Sequence, residues 1–223
     1  MALTEAQRAV IMSGLDAARE FGFALAGSGA LIEHGIASRP TDDADWFSTM
    51  EHAGSFDLAV DAVTARLQKD GFTLLPVKRS GTFFKFDVGT PSGEIVEVDM
   101  SLDWRRYNPA EISIGPILDV QDAAAAKVAT IFSRGEARDF IDLWTIRKST
   151  LWSDSELFAM AQDRDEGIDV PMFRTMLAGW LALRGTGISG SLTMGSPPTR
   201  LPRFEARQQS SVAVSKLLIR PNL

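Results

Sequence analysis

The chain has 223 residues, of which 45% are hydrophobic and 23% charged, with a formal net charge of −6 and no cysteine. That length and balance suit a folded chain of one large domain or two small ones, with a core that needs no covalent staples. The missing cysteines exclude a disulfide framework, a thiolate metal site and a cysteine nucleophile. The acidic balance disfavours a protein that coats nucleic acid, though a few local Arg and Lys suffice to hold a nucleic-acid end. No apolar run approaches the ~20 residues of a membrane span, and the first twenty residues carry acids and no signal-type apolar core. A cytoplasmic location is expected.

Residues 4–21 are predicted as an amphipathic helix. Thr4 and Gln7 have capping-box spacing, and Val10, Ile11, Leu15, Ala18 and Phe21 share a face. Gly22 ends it, and 23–26 is a short buried strand. Gly27-Ser28-Gly29 turns the chain, and 30–34 is helical up to Gly35. A second strand is expected over 43–48 and a helix over 57–69. Strands follow over 72–77, 82–88 and 95–102, with turns at Ser80-Gly81 and Pro91-Ser92-Gly93. In the last of these Ile95, Glu97 and Asp99 point to one side and Val96, Val98 and Met100 to the other.

Beyond Tyr107-Asn108-Pro109 the pattern turns helical, with helices expected over 122–133, 137–147, 154–164 and 171–183. A Gly-, Pro- and Ser-rich loop or linker is expected over 185–203, then a last helix or arm over 204–218. The fold class is α/β (α+β): a mixed sheet with flanking helices over residues 1–115, and a mainly helical region over 116–223.

Alternate strand positions face one way, so Asp43 and Asp45 project together. A carboxylate pair of this kind can bind or bridge Mg²⁺, whose other positions go to water and nucleotide phosphates. An Ile-x-Glu-x-Asp face is odd for a buried sheet unless a cation or solvent lies against it. Asp99 beside Asp43 and Asp45 makes a three-carboxylate set suited to two-metal phosphoryl displacement. The same Asp-x-Asp also reads as a solvated loop or a helix start capped by Asp42. Gly27 lets the backbone approach a ligand, the following helix offers free N–H groups, and Ser28 can donate to phosphate or merely cap the helix. Neither a dinucleotide fingerprint nor a Walker motif is present.

These residues resemble the polymerase-β-like nucleotidyltransferases, and more narrowly the AbiEii/AbiGii-type nucleotidyltransferase toxins. The resemblance is carried by LAGSGALIEHGIASRPTDDADWF (25–47), EIVEVDM (94–100) and AAAAKVATIFSRGEARDFIDLWTI (123–146). It implies that Gly27 and Ser28 contact nucleotide phosphate and that Arg39 is the basic position before the Asp-x-Asp. It makes Asp43 and Asp45 Mg²⁺ ligands, and Asp99 the third ligand or the base for the acceptor hydroxyl. Lys127 would reach the triphosphate. Arg138, Asp139 and Asp142 match an Arg-Asp-x-x-Asp stretch in which one of the two acids organises the site. Lys85 is a further phosphate-contact candidate.

Read without the resemblance, Lys127 is equally a surface lysine. Arg138 and Asp142 are equally a surface i,i+4 ion pair. The implied activity is Mg²⁺-dependent transfer of a nucleoside monophosphate from an NTP to an acceptor, tRNA or another RNA, by a toxin with a cognate antitoxin. An aminoglycoside-like small-molecule acceptor and a non-catalytic nucleotide-binding module are the alternatives.

Overall fold

The computed structural model describes residues 3–169 together with 171, 173 and 175. Most of the expected helix over 171–183, the 185–203 segment and the 204–218 arm lie outside the described residues. The chain divides into two compact units, 1–126 and 127–223.

The first unit is built on a seven-stranded mixed sheet. Its strands are β1 (Ala24–Leu25), β2 (Asp43–Ser48), β3 (Thr73–Ser80), β4 (Phe83–Gly89), β5 (Ile95–Leu102), β6 (Ala110–Ile112) and β7 (Gly115–Ile117), in the order β3-β4-β5-β2-β1-β7-β6. β2 runs parallel to β5, and β1 parallel to β7; the other pairs are antiparallel. The expected strands are present. β6 and β7 are additions, each of three residues, too short to carry an alternation legible in the sequence. The sheet therefore runs past residue 115: Leu118 N donates to Leu25 O at 2.8 Å.

Three α-helices lie wholly within this unit: α1 (Glu5–Ala18), α2 (Gly27–Glu33) and α3 (Phe56–Lys69). Thr4 and Gln7 form the expected capping box on α1, whose Val10, Ile11 and Leu15 are buried. The chain then tightens through a 3-10 turn, Arg19–Phe21, so the helix ends before Phe21. α1 and α3 are joined by Ser13, which donates to Asp70 at 2.7 Å, and by Arg66, which reaches both Asp16 and Asp70. α2 begins at Gly27, three residues before the predicted start, because Ala30 N already donates to Ala26 O.

One face of the sheet is apolar and buried. It comprises Ala44 and Trp46 of β2, Phe84, Phe86 and Val88 of β4, and Val96, Val98 and Met100 of β5. Trp46 is fully buried edge-on to Phe86. Its ring lies against Gly14 of α1, so closely that a side chain at residue 14 would overlap it. A glycine in mid-helix costs about 1 kcal/mol relative to alanine, and here it makes room for the largest side chain of the core.

In the second unit, α5 (Ala137–Lys148) and α6 (Asp154–Arg164) are tied by a forked ion pair from Arg147 to Asp154, with N···O distances of 2.6 and 2.8 Å. Phe132, on α4 (Val120–Ser133), stacks on Phe173, which Phe158 meets edge-on. Among the described residues, no helix is long and apolar enough to cross a membrane.

Candidate functional site

The face of the sheet opposite the aromatic core carries charge. In β2 the burial alternates, so Ala44 and Trp46 turn inward while Asp43 and Asp45 share the other side. The Asp-x-Asp is thus a strand pair and not a helix start. β5 alternates likewise, and its parallel register sets Asp99 directly beside Asp45 and Glu97 beside Asp43. On the other flank of β5, Lys85 is the antiparallel partner of Asp99. A single row across the sheet therefore reads Asp45, Asp99, Lys85.

The turn after β1 brings Gly27 against this row. Its φ is +57°, and any side chain there would overlap the Asp45 carboxylate. Glycine is required twice, for the backbone conformation and for the room given to Asp45. Ala26 N donates to Asp45 O at 2.8 Å, which fixes the turn to the strand. Ser28 is buried, and its hydroxyl accepts a hydrogen bond from Arg39 at 2.5 Å. Arg39 also donates to Pro40 O at 3.0 Å. Thr41 donates to Asp43 Oδ1 at 2.6 Å, and its carbonyl takes a bond from buried Gln7. Thr41 was not among the predicted site residues; the cues to it are the Arg-x-Thr spacing from Arg39 and its position two residues before Asp43.

Asp99 is the electrostatically loaded member. Burial pushes its carboxyl above the ordinary range, Lys85 pulls it back, and Asp43 and Glu97 add repulsion. Lys85 makes its short contact to Glu97, 2.6 Å, and stands 3.5 Å from Asp99 Oδ1. The longer contact is an ion pair outside hydrogen-bond geometry, so Asp99 Oδ1 is buried without a hydrogen-bond partner. Such an oxygen costs about 1–3 kcal/mol or more when nothing satisfies it.

Among the described residues, no group of three or more His, Cys, Asp or Glu is drawn together as around a metal ion. The donor chemistry nevertheless fits a hard divalent cation. Asp43, Asp45 and Asp99 supply only carboxylate oxygens, and Asp99 Oδ1 accepts no hydrogen bond.

The other predicted residues belong to the second unit. Lys127 is not a surface lysine: it is buried and pairs with fully buried Asp142 at 2.9 Å. Asp142 is therefore not the surface partner of Arg138, which instead meets Glu136 at 2.9 Å in the solvent. Asp139 is fully buried and is gripped by both arms of Arg134, at 2.9 and 2.8 Å. The same carboxylate accepts from Glu136 N at the start of α5. Arg134 escaped the sequence reading because it lies in a Ser-Arg-Gly break. Its five-residue separation from Asp139 matches no helical pairing rule.

Comparisons with known proteins bear on the family and the fold. The model of the family described as nucleotidyl transferase AbiEii toxin, type IV toxin–antitoxin system, matches residues 12–209. JHP933 of Helicobacter pylori is structurally similar, with a TM-score of 0.53 at 13% identity over 83% of this chain and 99% of that one. The nucleotidyltransferase toxin MenT4 of Mycobacterium tuberculosis H37Rv has a TM-score of 0.50 at 19% identity, over 70% of this chain and 61% of that one. These two likenesses concern the fold. No curated protein matches the sequence.

Proposed function

The chain belongs to the AbiEii nucleotidyltransferase toxin family, and from that premise we propose that it moves a nucleoside monophosphate from an NTP to the hydroxyl of an RNA acceptor. The acceptor oxygen attacks the α-phosphorus, the bond from that phosphorus to the bridging oxygen breaks, and pyrophosphate leaves. The hydroxyl proton passes to a carboxylate, for which Asp99 is the candidate. A reaction of this kind is catalysed by positioning and charge.

Asp43, Asp45 and Asp99 would hold Mg²⁺, which when bound would neutralise triphosphate charge and polarise the phosphoryl oxygens. Thr41 orients the Asp43 carboxylate. Gly27 keeps backbone and Asp45 in contact without a side chain between them. Ser28 and Arg39 are the proposed phosphate donors of the first unit. Asp142 sets the position of the Lys127 ammonium, and Asp139, with Arg134, fixes the start of α5. Arg138, in solvent, is assigned to the outer nucleotide or acceptor contact.

The observation that carries this reading is the register of Asp45 with Asp99, together with the buried Asp99 oxygen that accepts no hydrogen bond. A cognate antitoxin, suggested by the family's toxin–antitoxin description, and a cytoplasmic location belong to the same proposal. The test is incubation of the protein with each labelled NTP, Mg²⁺ and total RNA, beside Asp43→Ala and Asp45→Asn. Labelled RNA with wild type only is the expected result. Equal labelling by all three proteins removes these carboxylates from the mechanism.

The acids Glu97 and Asp87, partners in the row next to Asp99, favour a second reading with a cationic small-molecule acceptor. Transfer of label to an aminoglycoside and not to RNA would establish it.

A further inference from the structure

We propose that the open face of β3 and β4 is the platform for the acceptor's terminal nucleotide, with its base on Phe83 and its phosphate on Lys78, while Lys85 stays with Glu97 and Asp99. This rests on the reading of the site as one that modifies an RNA end.

The argument begins with register. Asp45, Asp99 and Lys85 are successive partners across β2, β5 and β4, and Lys78 of β3 is the partner of Lys85. The row thus runs from two carboxylates to two lysines at the sheet edge. Neighbouring strands are about 4.8 Å apart, so the step from Asp99 to Lys78 is about 10 Å, a span of one to two nucleotides. The next row is Phe47, Ser101, Phe83 and Ser80. Phe83 therefore lies on the same side as the lysines, and Lys78 Nζ sits 5.7 Å from its ring centre. A cation over an aromatic ring at a partly open surface is the pairing that receives a stacked base with its phosphate. The row on the opposite flank of Asp99 is acidic: Asp43, Glu97 and Asp87. It disfavours phosphate, so the Phe83 side is the favoured approach for a polyanion.

β3 leaves this face uncovered. It is the edge strand, and its residues from Leu75 to Ser80 are exposed. The register shifts between Pro76 and Lys78. This irregularity breaks the edge ladder, so the strand is ill suited to pair with a further strand. Arg79, adjacent to Lys78, points to the other face, where it lies over Phe84 and pairs with Asp57. Only Lys78 of these two cations is available to the platform.

The experiment measures labelled transfer from NTP to total RNA, and to a single-stranded 12-mer oligoribonucleotide with a free 3′ hydroxyl. The proteins are the full chain and its Phe83→Ala, Phe83→Trp and Lys78→Ala variants. Phe83→Ala raises the KM for the RNA about tenfold, as loss of one base stack does. Phe83→Trp restores it, and the KM for NTP stays within twofold throughout. Lys78→Ala raises the RNA KM and flattens its salt dependence by about one phosphate contact. Unchanged RNA KM in both alanine variants, with wild type labelling RNA, overturns the platform and leaves the nucleotidyltransfer reading intact. Labelling of an aminoglycoside and no RNA by wild type overturns both the RNA reading and the platform.

Discussion

Asp99 and Gly27 carry opposite kinds of cost, and each makes a measurable claim. The carboxyl of Asp99 is raised by burial. Its folded pKa thus exceeds its unfolded one, and stability is lost as pH rises through the folded value. In EDTA at pH 7, Asp99→Asn is expected to melt at or above the wild-type Tm while losing transfer activity. That advantage shrinks as pH falls through the raised pKa, and it vanishes below the ordinary carboxylate range. A Tm gap independent of pH would contradict the assigned cause.

Gly27 holds φ +57° against Asp45. Gly27→Ala forces the carboxylate aside, and a displacement of that size costs about a hundredfold in rate. The check is kcat/KM for transfer alongside the circular dichroism melt, which is expected to keep a single transition. The role of Gly27 in making room for Asp45 was not legible in the sequence, where glycine-serine pointed only to phosphate. The strand assignment of Asp43 and Asp45 was legible, because Ala44 and Trp46 complete the alternation.

At the scale of elements, α1 and β2 are locked by a reciprocal fit between Gly14 and Trp46. Gly14→Ala inserts a methyl group where the indole lies, and overpacking of this kind costs about 1–3 kcal/mol. Trp46→Leu alone opens a cavity, and large-to-small core changes cost several kcal/mol. The double variant should be no less stable than Trp46→Leu, so the two changes are non-additive. Urea melts of the four proteins measure the coupling; simple additivity would mean that the contact is not the cause.

The same scale separates what local pattern reveals from what it hides. Helices α1, α3, α4, α5 and α6 are legible from local pattern, α1 also from its Thr4-Gln7 cap. The pairing of Lys127 with Asp142 joins two helices across a break, while local spacing offered Arg138 instead. β6 and β7 owe their existence to β1, whose Leu25 pairs with Ile117. That partner is separated from them by most of the unit.

For the whole molecule, the net charge of −6 sets how an RNA acceptor can be held. Each phosphate contact to a single strand contributes about −0.7 to the slope of log K against log salt. A platform with Lys78 supplies one such contact, and two at most if Lys85 leaves Glu97. The expected slope between 50 and 200 mM salt is therefore shallow, about −0.7 to −1.4. A slope steeper than about −4 would require an extended basic surface that the charge balance does not favour. Acceptor KM measured across that salt range decides the matter.

Trp46 also provides a way to watch the site. The indole is fully shielded, its Nε1 has no hydrogen-bond partner, and it follows Asp45 directly in the strand. Trp104 and Trp144 are exposed, so acrylamide quenches their emission first. The short-wavelength fluorescence that survives the quencher includes that of Trp46, and a Trp46→Phe control identifies its share. The core that supports the carboxylates thereby becomes an optical reporter of strain in their strand during a titration with nucleotide.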